Sequence, residues 1–366
     1  MLFGGTAAVY AFNRAARGIW FAISNLLRVC WTNYYDDYPT VEPKCTSGIA
    51  KTAIESCLRL LGWDFADEGD KCLPFSDKFV VLGAQANLVN MAKGRAYIEN
   101  KPGRVDSIAS QVRKSKEAGY LSSGTAAEIK GKFVYAEAQC YGRIATRCIK
   151  LLGEVASGKR SGSPLDPVLA EVLDWLIERL STATPRPIFA DRNFDSIIIF
   201  TDASSEGNDH SCGAVLLDKH TNSFEYFGFA IRPELIVEWR TSGITQIITH
   251  AEVYPVWLAR SVWGTRLRGR RVITFVDNNA AKDSLVKGSM DSIHGDWMLQ
   301  AVLQLEFGQQ SHGWYARVPS LSNIADGPSR LDFEELRGDK RFKKITPRQP
   351  FSFKGGSGML DPNVVQ

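Results

Sequence analysis

Between residues 197 and 326 the sequence changes rhythm in an order that few folds accept. Three short runs of β-branched and aromatic residues come first, Ile197–Phe200, Cys212–Leu217 and Phe224–Ile231. Helical spacing returns between Glu252 and Leu267, a strand-like run follows at Val272–Val276, and a second helical stretch covers about His294 to Phe307. A last strand, Gly313–Val318, leads to a short helix near Asn323. Three strands followed by helix, strand, helix, strand and helix, within about 135 residues, predict a mixed sheet flanked by helices and an α/β (α+β) class.

Four acidic residues stand where these strands end or helices begin: Asp202 after IIIFT, Glu252 opening a helix, Asp277 after VITFV, and Asp326 in SNIADGPSR. A single Asp at a strand end is more often a turn or cap residue than a ligand. Joint occurrence changes the odds, because carboxylates gathered at one sheet edge repel strongly and are normally neutralised by divalent cations. All-oxygen sites select Mg²⁺ or Mn²⁺ over softer metals. Two such ions, about 3.5–4 Å apart, can activate a water and stabilise the leaving oxygen in phosphodiester cleavage.

The remainder of the chain reads differently. The apolar segment FVVLGAQANL ends at a joint after Leu88, and a helix of about ten residues is expected from Asp106, with Asp106 or Ser107 as its cap. Thr125 to Leu152 has helical spacing broken or entered near Gly131, and another helix runs from Pro167 to Leu180. The joint STATPRPIFADRNF follows. Charge divides along these joints: residues 91–190 hold 16 basic against 10 acidic side chains, residues 195–332 hold 12 against 16, and the tail from 333 holds 7 against 4. A basic middle and tail around an acidic domain suit an enzyme that holds phosphates beside a metal-binding carboxylate cluster.

Near the start stands Tyr34-Tyr35-Asp36-Asp37. A hairpin turn bearing paired carboxylates is a way to hold Mg²⁺ under a nucleotide triphosphate. A helix at Ser47 to Leu61 and the segment GDKCLPFSDKFVVLG come after it.

The stretch from about Asp195 to Asp332, with TDAS and CGAVL, then HAEVYPV, FVDNNAA and SNIADGPSR, resembles the ribonuclease H domain of retroelement polyproteins. The resemblance implies a ribonuclease H-like mixed sheet in the C-terminal half. It also implies Asp202, Glu252, Asp277 and Asp326 as the catalytic, metal-binding tetrad with two Mg²⁺ (or Mn²⁺) ions, and an RNA/DNA hybrid as the nucleic-acid partner. The front half resembles the back of a reverse transcriptase palm followed by a helical thumb/connection region, as in tyrosine-recombinase retroelements. Asp36 and Asp37 would be two polymerase metal ligands, with Lys71 and FVVLG matching later palm motifs. Expected divisions are a partial palm at 1–90, the helical region at 91–190, the ribonuclease H-like domain at 195–335 and a basic, disordered tail at 336–366. The resemblance expects another palm Asp upstream of Met1, so no independent polymerase activity is expected. The histidine that many cellular ribonucleases H carry on the loop before the last Asp has no counterpart in Pro319–Asn323. His312 is expected to be structural and His250 a surface or capping residue. Pro255 requires a helix that starts near Thr249 to Glu252.

Seven cysteines without CxxC or Cys/His spacing suggest neither zinc nor a disulfide framework, and fit a reducing, intracellular setting, cytoplasmic or nuclear. Leu2 to Trp31 is apolar, but Arg14, Arg17 and Arg28 interrupt it, so it reads as buried core and neither a signal peptide nor a membrane span. Trp239, Trp257, Trp263, Trp297 and Trp314 read as core. Arg266, Arg268, Arg270 and Arg271 read equally as hybrid contacts or as a solvated loop. The expected activity is metal-dependent cleavage of the RNA strand of a hybrid. The alternatives are a non-catalytic nucleic-acid-binding remnant and a polymerase fragment needing a separate front part. Oligomeric state is open.

Overall fold

A computed structural model describes residues 5–69, 72–140, 142–190, 196–241, 246–350 and 352–353. The chain divides into two compact units, Met1–Val89 and Asn90–Gln366.

The first unit contains α1 (Thr6–Leu27), β1 (Cys30–Trp31), β2 (Thr40–Val41), α2 (Ser47–Leu60), β3 (Lys78–Val81) and β4 (Ala84–Asn87). β1 and β2 pair antiparallel, as do β3 and β4. Its core is small: Ile23, Trp31, Ile54 and Leu58 are buried together. Such a core covers one narrow stripe of α1, and of that helix only Ala16 and Ile23 are buried, while Tyr10, Phe21 and Leu26 are exposed. The reading of Leu2–Trp31 as buried core is therefore corrected over Thr6–Leu27, while Trp31 is buried as read and residues 2–4 lie outside the described residues. Apolar residues run round this helix, and the unit has too few partners to cover them. Lys71 lies outside the described residues.

The second unit opens with β5 (Arg95–Asn100), then α3 (Arg104–Glu117), α4 (Ser123–Cys140), α5 (Thr146–Ala156), α6 (Pro167–Thr182) and β6 (Arg186–Phe189), which pairs antiparallel with β5. The four helices share a core built on Ile108, Val112, Ile129, Phe133, Leu152, Leu169, Leu173 and Leu176. α3 is entered from Gly103 without a side-chain cap, and Asp106 sits in its first turn instead. Gly131 lies inside α4, where a Cβ would meet open space, so nothing breaks the helix there. α6 starts as its sequence suggests, with Asp166 accepting from Leu169 N–H and Pro167 at the first helical position. Arg179 and Glu137 form a buried ion pair beneath these helices.

After this come β7 (Ile197–Glu206), β8 (Asp209–Asp218), β9 (Ser223–Ala230), α7 (Pro233–Arg240), α8 (Ile248–Val262), α9 (Gly264–Leu267), β10 (Arg271–Val276), α10 (Asn279–Lys287), α11 (Ile293–Gln309), β11 (His312–Arg317), α12 (Asp326–Ser329), α13 (Glu334–Gly338) and β12 (Phe342–Lys344). β7, β8 and β9 form an antiparallel meander. β10 runs parallel to both β7 and β11, and β12 runs parallel to β9, giving the order β11-β10-β7-β8-β9-β12. This is the expected mixed sheet flanked by helices. α8 is buried at every position from His250 to Arg260, which marks it as the central helix packed on the sheet.

α8 starts at Ile248, next to the Thr249–Glu252 window that Pro255 requires, and with Pro255 inside the helix the Ala251 carbonyl loses its usual helical partner. Two expectations fail here. Trp314 is 68% exposed on the edge strand β11, beyond which the sheet has no further strand among the described residues. The run from 336 is no loose tail over its described length. β12 extends the sheet, Gln349 hydrogen-bonds Tyr254 and the backbone of Ala230 and Arg232, and Phe353 is buried against Tyr254 and Trp257.

Arg266 and Arg270 each pair with an acidic residue of the sheet. Arg266 pairs with Glu225 at 3.1 Å, and Arg270 with the buried Asp218 at 3.2 Å. None of the helices among the described residues is long and apolar enough to cross a membrane.

Candidate metal centre

Asp202 points from β7, Glu252 from α8 and Asp277 from the end of β10. One carboxylate oxygen from each lies within 4.8 Å of the other two. β10 lies beside β7, and α8 packs on β7, so three residues far apart in sequence meet beside two central strands of the sheet.

Each carboxylate is held by named groups. Asn323 Nδ2 donates to Asp202 Oδ1 at 3.1 Å and to the Thr201 carbonyl at 3.1 Å. Ser329 Oγ donates to Asp202 Oδ2 at 2.5 Å. Ser320 Oγ donates to Asp277 Oδ2 at 3.0 Å. The Ala203 N–H donates to Glu252, whose Oε2 is buried with no hydrogen-bond partner.

The electrostatics follow from crowding in a dry place. Burial lifts Asp202 from 3.8 to about 7; the Ser329 hydrogen bond opposes this, and the charges of Asp277 and Asp326 add to it. Burial lifts Glu252 from 4.5 to about 10, reinforced by the charges of Asp202 and Asp277. Carboxylates that resist ionisation together, with one orphaned oxygen, suit a divalent cation, which supplies the missing positive charge. The donor set is all oxygen, as Mg²⁺ or Mn²⁺ requires.

Asp326 does not join this trio. It opens α12 and is about half exposed, and its carboxylate is covered by Arg330, whose Nε lies 3.1 and 3.2 Å from the two oxygens. Asp36 and Asp37 occupy an exposed turn closed by a Tyr34–Asp37 bridge, with Tyr35 at φ 54°. Among the described residues no third metal-ligating side chain gathers with that pair.

His250 is buried, contrary to the surface reading. Its Nε2 lies 2.6 Å from Ser292 Oγ, the N-cap of α11, and burial, then the charge of His294, lowers its pKa to about 4. It fastens α8, two residues from Glu252, to the start of α11.

The supports that a sequence pattern could not disclose are glycines and small polar groups. Gly213 and Gly228 face each other across β8 and β9, and Gly213 also pairs with Asp202. A Cβ on Gly213 would stand 2.6 Å from the Pro328 carbonyl carbon and the Ser329 nitrogen, so only glycine lets α12 lie this close. That approach is what carries Ser329 to Asp202. Ser329 sits in the SNIADGPSR segment but carried no expected role.

No family model matches the sequence, and no curated protein matches it. Among solved structures, the chain is similar to the N-terminal RNase H domain of Rv2228c from Mycobacterium tuberculosis, determined as a fusion with maltose-binding protein. The identity is 17% and the TM-score 0.29, over 39% of this chain and 96% of that one. It is also similar to the foamy viral protease-reverse transcriptase dRH in complex with double-stranded DNA, at 11% identity and TM-score 0.38, over 90% of this chain and 48% of that one. The strand order and directions carry the fold, and they make the C-terminal half a mixed sheet flanked by helices.

Proposed function

We propose that this protein is a metal-dependent endonuclease that cuts the RNA strand of an RNA/DNA hybrid, with Asp202, Glu252, Asp277 and Asp326 as its catalytic carboxylates. The observation that carries the proposal is the meeting of Asp202, Glu252 and Asp277 around a buried, unpartnered Glu252 oxygen. A pair of divalent ions held there would activate water for attack on phosphorus and stabilise the leaving oxygen. Asp202 and Glu252 must give up the protons that burial favours before they can serve as ligands. Ser329 and Asn323 fix the orientation of Asp202, Ser320 does the same for Asp277, and the Ala203 N–H fixes Glu252. Preference for RNA would come from 2′-hydroxyls read across a wide minor groove.

On the same reading Met1–Val89 belongs to a reverse transcriptase palm. Its support is the antiparallel β1–β2 pair with Asp36 and Asp37 on the intervening turn.

The test is full-length protein with Mg²⁺ and labelled RNA/DNA hybrid, duplex DNA and duplex RNA, beside an Asp277→Asn control. Cleavage of the hybrid's RNA strand, lost in the control, is the expected result. Hybrid binding without cleavage favours a non-catalytic binding protein, and equal cleavage of all three duplexes removes the hybrid specificity.

A further inference from the structure

Of the four candidate ligand carboxylates, Asp202, Glu252 and Asp277 face one another, and the fourth, Asp326, is held by a cation of the chain itself. Arg330 Nε lies against both oxygens of Asp326, and its Nη1 reaches Glu206 Oε1 at 3.2 Å. The Arg330 side chain is 53% exposed, with Asp326 and Glu206 also open to solvent. Asp202 adds to the field that holds the arginine positive. Arg330 therefore stands at the rim of the carboxylate cluster, between an acidic residue that the cluster lacks and an alternative acceptor outside it.

We infer that Arg330 is a latch: it withholds Asp326 from a second divalent ion until a phosphate of the nucleic acid draws the guanidinium away. The inference rests on the nuclease reading and adds an order of events to it. A first ion needs only Asp202, Glu252 and Asp277, which are already together. A second needs Asp326, and the guanidinium and the ion compete for the same two oxygens.

Solvent-exposed ion pairs are weak, so the latch biases the second ion by only about fivefold. That small bias is what lets it open. Arg330 can keep its Glu206 contact while turning to a phosphate, a bidentate partner its planar fork suits well. By reciprocity, duplex binding strengthens second-ion binding, and the second ion strengthens duplex binding by the same factor. Arg330 is thus a positioning residue, acting on the site through Asp326.

The experiment titrates Mn²⁺ into the full-length protein without nucleic acid, by electron paramagnetic resonance and calorimetry. Wild type is compared with Arg330→Gln and Arg330→Lys, with circular dichroism as the check on folding. In wild type one ion binds tightly and a second more weakly. In Arg330→Gln the second ion binds about fivefold tighter while the first is unchanged. Arg330→Lys, which keeps the charge but loses the fork, falls between, and it carries the test if the glutamine variant does not fold. In EDTA, where no cleavage occurs, the salt dependence of hybrid binding by Arg330→Gln falls by about one phosphate contact. Equal tightening of both ions would be a general field effect and overturns the latch, as does an unchanged second ion. A wild type that binds no Mn²⁺ overturns the nuclease reading as well, so the two failures are distinguishable.

Discussion

In the absence of a divalent ion, the carboxylate cluster should weaken the fold as pH rises, and an added ion should remove that weakness. Asp202 has an ordinary value of 3.8 and a folded value of about 7. Below 3.8 its carboxyl is protonated in both folded and unfolded chains, so it contributes no difference. Between 3.8 and 7 the folded chain keeps the proton and the unfolded chain releases it, so stability falls with rising pH. The shift of roughly three units amounts to about 4 kcal/mol, fully felt above pH 7. Glu252, moved from 4.5 to about 10, acts in the same direction and carries the decline further. A divalent ion binds the ionised carboxylates and displaces their protons, so its stabilising effect must grow with pH. In a unit of this size each kcal/mol moves the melting temperature by roughly 2–4 °C. The assay is differential scanning calorimetry between pH 5 and 9, in EDTA and in Mg²⁺, for wild type and Asp202→Asn. The gap between the EDTA and Mg²⁺ curves should widen with pH in wild type and widen less in Asp202→Asn, where only Glu252 still exchanges its proton for the ion. A gap that stays constant or shrinks as pH rises in wild type would refute the reasoning, because no proton would then be exchanged for the ion.

Other substitutions test the supports one at a time. Ser329→Ala removes the hydroxyl donated to Asp202 and should weaken Mn²⁺ binding about tenfold by calorimetry, as loss of such an outer support typically does. Gly213→Ala places a methyl against backbone atoms of Pro328 and Ser329, and should cost about 1–3 kcal/mol in urea unfolding while also weakening Mn²⁺ binding. Arg179→Met strands the buried Glu137 carboxylate and should cost about 3–5 kcal/mol in the same measurement. Phe353→Ala empties a space lined by Tyr254 and Trp257, and should destabilise by about 3–5 kcal/mol; a loss below 1 kcal/mol would mean that this residue lies outside the core.

The sheet was readable because its strands alternate or run apolar over short lengths between turn residues, and Asp202 and Asp277 were readable because they terminate such runs. β7 and β8 prove longer than their apolar cores, since the polar residues Ser204, Ser205, Asp209 and Ser211 continue the ladder past the apolar run. α7 and α10 went unread, being short elements whose few apolar positions give no sustained period. Burial of His250 and exposure of Trp314 depend on which neighbours arrive from distant sequence, and residue type alone cannot report that. The same holds for Phe353. Flanked by Pro350 and glycines, it reads as loose chain until β12 brings it beside α8. Asp326 is the instructive case, because the motif pointed to the residue while its ion pair with Arg330 is a matter of side-chain geometry.

Arg143, in the loop between α4 and α5, reaches into the sheet half of the second unit. It donates to the carbonyls of Leu285 and Val286 in the last turn of α10, at 2.7 and 3.1 Å, and to Glu306 on α11 at 2.8 Å. A cation there stabilises the negative end of the α10 dipole as well as satisfying its carbonyls. α10 begins directly after Asp277, so the helical region secures the far end of the element that follows a cluster carboxylate. Severing the chain between residues 190 and 196 to obtain the six-stranded sheet and its helices alone would strip this anchor. Such a fragment should fray at α10 first, and whatever weakness it showed in holding metal would belong to the missing arginine rather than to the carboxylates.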